Sequence, residues 1–416
     1  MFALLVGACA PERETLHDGR YDRGELAASL ADRETPPGLL LGTFLLANKG
    51  VVDGDTIKVD GLDASLRLIG LDCEETFKSD KALRAYEIGF DEYLRNEQAK
   101  TERPVKIPTP LGMEAKHFAQ EFFADVTEVR LERDHPKDLR DRYNRYLAYV
   151  FAKKQGRWVN YNVECVRAGM SPYFSKYGYS VRFHDDFVAA QAEARAAGRG
   201  IWNPALEHYR DYDLRLAWWD GRAEFVSTFQ RAAASKDTMI PLTHWDALAR
   251  LEEHVGDEVE LLATVGDIVV GRGGAPTRVM LSRRMFSDFT LVFFDDEVFA
   301  ASDIAKAKGE FVRVRGTVSK YRFKGKRSGD REQLQMVIKR PEQIRFEDAW
   351  AAAQQRFPAA PGPAPGDPTV PEPEPEPDTV TPAPEDDAVT PTQPDAPVTP
   401  SAARPSTRRW PATNHP

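Results

Sequence analysis

Residues Phe357 to Pro416 hold 18 of the chain's 30 prolines and nine acidic side chains against three arginines. Proline fixes φ and lacks a backbone donor, and a segment this poor in apolar side chains does not bury enough surface to offset its ordering entropy. A disordered acidic tail is expected, so every packed core must come from the residues before it. The tail also carries most of the net charge of -9. The foldable remainder is close to neutral, which leaves a nucleic-acid partner open. In a chain of 416 residues it has room for two cores and linkers.

Within that remainder, strand-like runs at Leu45 to Val59 and Leu62 to Leu71 flank Asp60-Gly61, a hairpin signal. Further strands are expected at Val126 to Leu131 and Tyr146 to Ala152, and helices at Gly112 to Asp125, Asn160 to Ala168 and Asp185 to Ala197. Short strands with a few helices predict an α+β, mostly β fold built on a small, partly open barrel. Residues Thr76 to Leu111 form an insertion, helical over Lys78 to Asn96 and loop over the proline-containing Arg103 to Pro110, read either as a binding loop or as a surface insertion without function. Tyr209 to His254 reads as a helical bridge anchored by Trp218, Trp219, Phe225, Phe229 and Trp245. Beyond it, the order of three strands, a helix at Ser302 to Lys308 and two strands predicts a second, OB-like barrel. The expected domains are 1–40 (terminal segment and linker), 41–205, 206–254, 255–347 and 348–416 (tail).

Three clusters carry chemistry. Asp53 and Asp55 flank Gly54, and in extended backbone their carboxylates would share a face and repel, which a hard cation relieves. Arg67 heads into an apolar run, where an unpaired guanidinium is costly, so it needs an anionic partner. Asp72, Glu74 and Glu75 follow where that strand should end. Arg142 and Arg145 flank Tyr143 in a polar turn, and a planar, permanently charged guanidinium suits phosphate. Taken together, the clusters point to phosphodiester hydrolysis.

The residues Val52-Asp-Gly-Asp-Thr-Ile57, Arg67 with Asp72 and Glu75 at their spacing, Gly112-Met-Glu-Ala115, Asp141-Arg-Tyr-Asn-Arg-Tyr-Leu-Ala-Tyr149, Val166-Arg-Ala-Gly169 and Gly200-Ile-Trp202 resemble the staphylococcal nuclease (thermonuclease-like) family over Leu45 to Asn203. The resemblance implies an OB barrel with helices and a calcium-dependent endonuclease acting on DNA or RNA with low sequence specificity, with Mg²⁺ or Mn²⁺ as alternative cations. It implies that Asp55, Asp72 and the backbone carbonyl of Cys73 ligate the metal while Asp53 acts behind them. Glu75 would activate water, Arg67 and Arg145 would clamp the phosphate, and Arg142, Tyr143 and Tyr177 would contact substrate. Many relatives have Thr-Pro where this chain has Cys73-Glu74, and Glu74 adds a charge that shifts metal preference or a neighbour's pKa.

Met1 to Cys9 resembles the lipobox of bacterial lipoproteins. Either the true start lies upstream and Cys9 is a lipidation site placing the protein at the cell envelope of a bacterium, or Cys9 is an ordinary residue of a frayed terminus in a chain that is then secreted. The stretch Arg313 to Arg331 interleaves basic and aromatic residues, making Lys320, Arg322, Lys324, Lys326 and Arg327 nucleic-acid-binding candidates, or else a solvated hairpin. Two rivals to the nuclease reading are a non-catalytic binding module and a tethered protein-binding scaffold.

Overall fold

The computed structural model describes residues 39–358 apart from 138–139, 142, 144, 245, 283–288 and 326–328. Cys9, the acidic tail beyond 358, Arg142, Trp245, Lys326 and Arg327 therefore lie outside the described residues.

The first barrel is built from β1 (Leu40–Asp53), β2 (Thr56–Val59), β3 (Leu66–Leu68), β4 (Glu128–Glu132) and β5 (Tyr146–Lys154). The hydrogen-bonded order β3-β2-β1-β4-β5 is closed by a parallel β3–β5 pairing, with Arg67 opposite Leu147. The strands enclose Ile57, Leu66, Leu68, Val129, Leu131, Ala148 and Val150. Residues Ala148 to Ala152 of β5 are buried on both faces, because Tyr149 and Phe151 point away from the barrel onto Phe183 of the segment before the outer helix. Strand β6 (Arg157–Asn160) extends this sheet past the Gln155-Gly156 turn.

Two differences from expectation matter for the site. Asp53 and Thr56 pair directly, so Gly54-Asp55 is a two-residue hairpin loop rather than the middle of one extended strand. A period-of-two pattern continues through a tight turn, which hid it. Gly54 is required there, because a Cβ would fall 2.7 Å from Cys73 Sγ. The insertion forms two short helices, α1 (Asp80–Tyr86) and α2 (Phe90–Gln98), broken at Gly89, whose φ of 108° is in the region that favours glycine. Their apolar faces join Val105, Ile107 and Leu111 in a satellite core.

Helix α3 (Pro110–Phe122) opens with proline in its first turn, and the Thr109 side chain accepts from Gly112 N. Helices α4 (Tyr161–Arg167) and α5 (His184–Ala196) cover the outside of β5. Then α6 (Tyr212–Ala233) runs for 22 residues, about 33 Å at helical rise. Its start joins the insertion core through Tyr212, its middle carries Trp218 and Trp219, and its end packs Phe225, Val226 and Phe229 on the second barrel.

The expected bridge is not wholly helical: β7 (Met239–Pro241), which precedes the short α7 (Ala247–Glu253), pairs in parallel with β8 (Glu258–Val269). The second barrel comprises β8 (Glu258–Val269), β9 (Thr277–Ser282), β10 (Phe289–Phe293), β11 (Phe311–Gly325) and β12 (Gly329–Ile338). Its order β11-β12-β10-β9-β8, closed by β11–β8 with β10–β12 parallel, repeats the topology of the first. Helix α8 (Asp296–Ala301) and a 3₁₀ turn at Ile304–Ala307 stand near the expected helix. After the short β13 (Ile344–Arg345), α9 (Ala349–Arg356) occupies the start of the stretch read as tail. Its Ala349 and Ala353 pack against Trp218 and Trp219, burial that overrides the local composition.

Candidate active site

Arg67 stands on β3 with its guanidinium fork spanning two carboxylates. Nη1 pairs with Asp55, and Nη2 lies 2.9 Å from Asp72 Oδ1 and donates to Leu71 O at 2.9 Å. The anionic partner demanded by its position is thus supplied twice, from the β1–β2 turn and from the loop after β3. Burial would lower the Arg67 pKa, but Asp55 and Asp72 outweigh it and raise it further. For Asp72, burial pushes upward while Lys106 and Arg67 prevail, holding the carboxyl below the usual range.

The loop carrying Asp72 is fixed from several sides. Asp72 N donates to Ser171 Oγ at 2.8 Å, and Cys73 N donates to Asp55 Oδ2 at 3.2 Å. Buried Asn162 of α4 donates to Ile69 O and Ala148 O and accepts from Val150 N, tying the end of β3 to β5. Tyr161 OH donates to Gly54 O at 2.9 Å, which holds the turn bearing Asp55. The Cys73 thiol points inward to Cys165, 3.8 Å between sulfurs, and that contact together with burial raises its pKa well above the ordinary thiol value. The Cys73 thiol therefore does not compete with oxygen at this centre.

Asp53 lies behind Asp55, its pKa raised by burial and then by the Asp55 charge. Glu75 is at the rim with 42% of its side chain exposed, and Lys78 lies 3.7 Å from it and 3.6 Å from Asp53. Arg145 is held by Asp141 through Nε at 2.8 Å and Nη2 at 2.7 Å, and sits over the Tyr143 ring. Tyr146 N bonds Ser65 O, so the β3–β5 register carries Arg145 beside Ser65, two residues along the same face from Arg67. Tyr143 and Tyr177 are more than half exposed, and Tyr177 meets Phe174 edge-on at 5.7 Å.

Three features were invisible in the sequence. Lys106 reaches from the insertion to pair with Asp72, thirty-four positions away. Glu74 does not face the carboxylate pair at all. It turns into the satellite core, where it accepts from Thr109 Oγ, from Tyr209 N at 2.8 Å and from Tyr212 OH at 2.6 Å, with burial raising its pKa. The expected disturbance of the metal loop by its charge is thus replaced by a clamp. In the second barrel, β11–β12 pairing sets Glu332 opposite Arg322, and Lys320 pairs with Glu252 of α7, so acids beyond the basic stretch meet two of its cations.

A hard divalent cation fits the donors: two buried carboxylates converge within the span of one guanidinium, and both offer oxygen. Among the described residues no three His, Cys, Asp or Glu side chains gather to hold a metal. A cation would thus need backbone or solvent oxygen in addition to Asp55 and Asp72.

A five-stranded OB-type barrel with paired carboxylates around a partly buried arginine defines the class. Residues 65–204 match the family described as staphylococcal nuclease homologue. An uncharacterized protein of Methanocaldococcus jannaschii is 31% identical over 156 residues, covering 37% of this chain and 69% of that protein. The thermonuclease of Staphylococcus hyicus is 30% identical over 158 residues, 37% of this chain and 72% of its own length. That of Staphylococcus intermedius is 29% identical over 161 residues, 37% and 73% respectively. The chain belongs to the staphylococcal nuclease homologue family.

Proposed function

We propose that the protein is a divalent-cation-dependent endonuclease that hydrolyses phosphodiester bonds of DNA or RNA with low sequence specificity. Family membership supports a nuclease-type activity in general. The observation that carries the finer reading is the convergence of Asp55 and Asp72 on Arg67. In this reading Asp55, Asp72 and the Cys73 carbonyl hold calcium, with Asp53 behind them. The cation, when bound, supplies charge neutralisation at the phosphate. Glu75, exposed at the rim, takes the proton of the attacking water. Arg67 and Arg145 hold the non-bridging oxygens as their charge grows and the 5′-oxygen leaves, while Tyr143 and Tyr177 border the substrate. Residues 41–205 form the catalytic domain. Attachment through Cys9 would place the enzyme at the envelope; no described helix is long and apolar enough to cross a membrane.

A plasmid-nicking assay with calcium, with chelator and with Glu75→Gln tests the proposal. Nicking should require the cation, and Glu75→Gln should lower kcat by about 10²-fold or more. Cleavage undiminished by excess chelator, or near wild-type turnover in Glu75→Gln, overturns it, and binding without cleavage would favour a non-catalytic module.

A further inference from the structure

Next to the carboxylate pair lies a set of cations that the chemistry above does not use. Arg103 and Lys106 come from the insertion, Lys176 from the segment after α4, and Arg222 from α6. Glu310 of the second barrel, itself buried, pairs with Arg222 and lies 3.1 Å from Arg103, while Asp72 pairs with Lys106. Lys176 is paired with no carboxylate among the described residues. Its Nζ sits 4.2 Å from the centroid of the Trp218 ring, which also carries Arg103 at 5.0 Å and Arg222 at 5.9 Å. The backbone is fixed under it, because Lys176 O accepts from Arg222 Nε at 3.0 Å.

Such an ammonium is held badly for a group with no anion. Burial first, then Arg222, push its pKa down to about 7, and the upward pull of Asp72 is opposed in turn by Lys106 and Arg103. The aromatic face offsets only part of that crowding. The position relative to the reacting centre is also constrained. Lys106 shares Asp72 with Arg67, and both cations lie over the ring of Phe174, at 5.8 and 5.9 Å. Phe174 is two residues before Lys176 in the same segment. Arg67 and Lys106 thus meet at Asp72, and Lys176 feels the charges of both Asp72 and Lys106, a set of cations that suits the repeating charge of a polynucleotide backbone better than a single ion.

We propose that Lys106 and Lys176 form an accessory phosphate subsite, which takes a backbone phosphate of the bound polynucleotide adjacent to the one held at Arg67. The subsite rests on the nuclease reading for its orientation. Trp218 and Arg222, which form part of its wall, lie beyond the span 65–204 that matches the family.

The test uses the full chain in chelator, so that no turnover occurs, with a 5′-fluorescein-labelled oligothymidylate titrated by anisotropy across a range of salt. Lys176→Met should weaken binding about tenfold, the worth of one charge-assisted contact, and should flatten the salt dependence by about 0.7 in log–log slope. Lys176→Arg should restore both. Under turnover conditions Lys176→Met should raise KM for the oligonucleotide while kcat changes less than about twofold. Lys176→Gln serves as a second neutral variant if methionine does not give folded protein. Unchanged affinity and slope in a folded neutral variant overturn the subsite, as does a change confined to inhibition by inorganic phosphate. If the wild type hydrolyses DNA and the variant binds normally, the subsite fails and the nuclease reading stands. If no form hydrolyses but the neutral variant binds more weakly, the nuclease reading fails and the subsite stands.

Discussion

Removing the Glu74 carboxylate isolates the contribution of one buried clamp. Glu74 is 2% exposed and accepts from Thr109, Tyr209 and Tyr212, which are 0%, 4% and 5% exposed. Glu74→Ala leaves three buried donors without an acceptor, at about 1–1.5 kcal/mol each, so a loss of roughly 3–4.5 kcal/mol is expected. Glu74→Gln keeps one oxygen for Tyr209 N and Tyr212 OH and removes a buried charge, so these opposing effects should limit its cost to under about 1.5 kcal/mol. A pH signature accompanies the substitution. Because burial raises the native pKa of Glu74, the native state binds more protons than the unfolded chain over that interval. Its contribution to stability is complete below the ordinary glutamate range and is lost as pH rises through the raised native value. Glu74→Gln should flatten that decline. Urea unfolding read by the fluorescence of Trp218 and Trp219, near Tyr212 on α6, measures both effects, and amide exchange over Asp72 to Thr76 should quicken in the alanine variant. An alanine variant that loses less than about 1 kcal/mol would show that water reaches the three donors and that the clamp does not hold the loop.

Arg145→Lys keeps a charge but loses the fork that now engages Asp141 through Nε and Nη2, so kcat on plasmid DNA should fall about tenfold or more; unchanged kcat would remove Arg145 from the phosphate clamp. Neutralising Lys320 and Arg322 together should change oligonucleotide affinity by less than about twofold, because Glu252 and Glu332 already engage them. A clear loss of affinity and salt slope in an anisotropy titration would restore that face of the second barrel as a binding surface.

Local chemistry made much of the fold legible. Turn dipeptides such as Asp60-Gly61 and Gln155-Gly156 mark where strands end, and the apolar spacing after Thr109 yields α3 to within a few residues. Arg67 was readable as well, since a guanidinium aimed into a core requires an anion nearby. What failed was either short or distant. Strands β6 and β7, of four and three residues, are too brief to display a period. The Gly54-Asp55 loop copies the alternation of the strands it joins. Lys106 and Glu74 take their roles from partners 34 and 135 positions away, contacts that no local pattern encodes. The acidic partners of the basic hairpin were hidden for the same reason, since Glu252 comes from another element and Glu332 becomes a partner only through strand register.

Helix α6 makes this chain a poor source of interchangeable parts. The span shared with its relatives ends at residue 204, yet the groups that grip Glu74 are at 209 and 212, and Arg103 of the insertion leans on Glu310 far into the second barrel. A seam drawn at the family boundary would carry away the acidic loop and leave its restraints behind. Domain shuffling or gene fission at that point therefore breaks the piece it sets out to move, and substitutions at 209 and 212 are answerable to a centre in what looks like a different module.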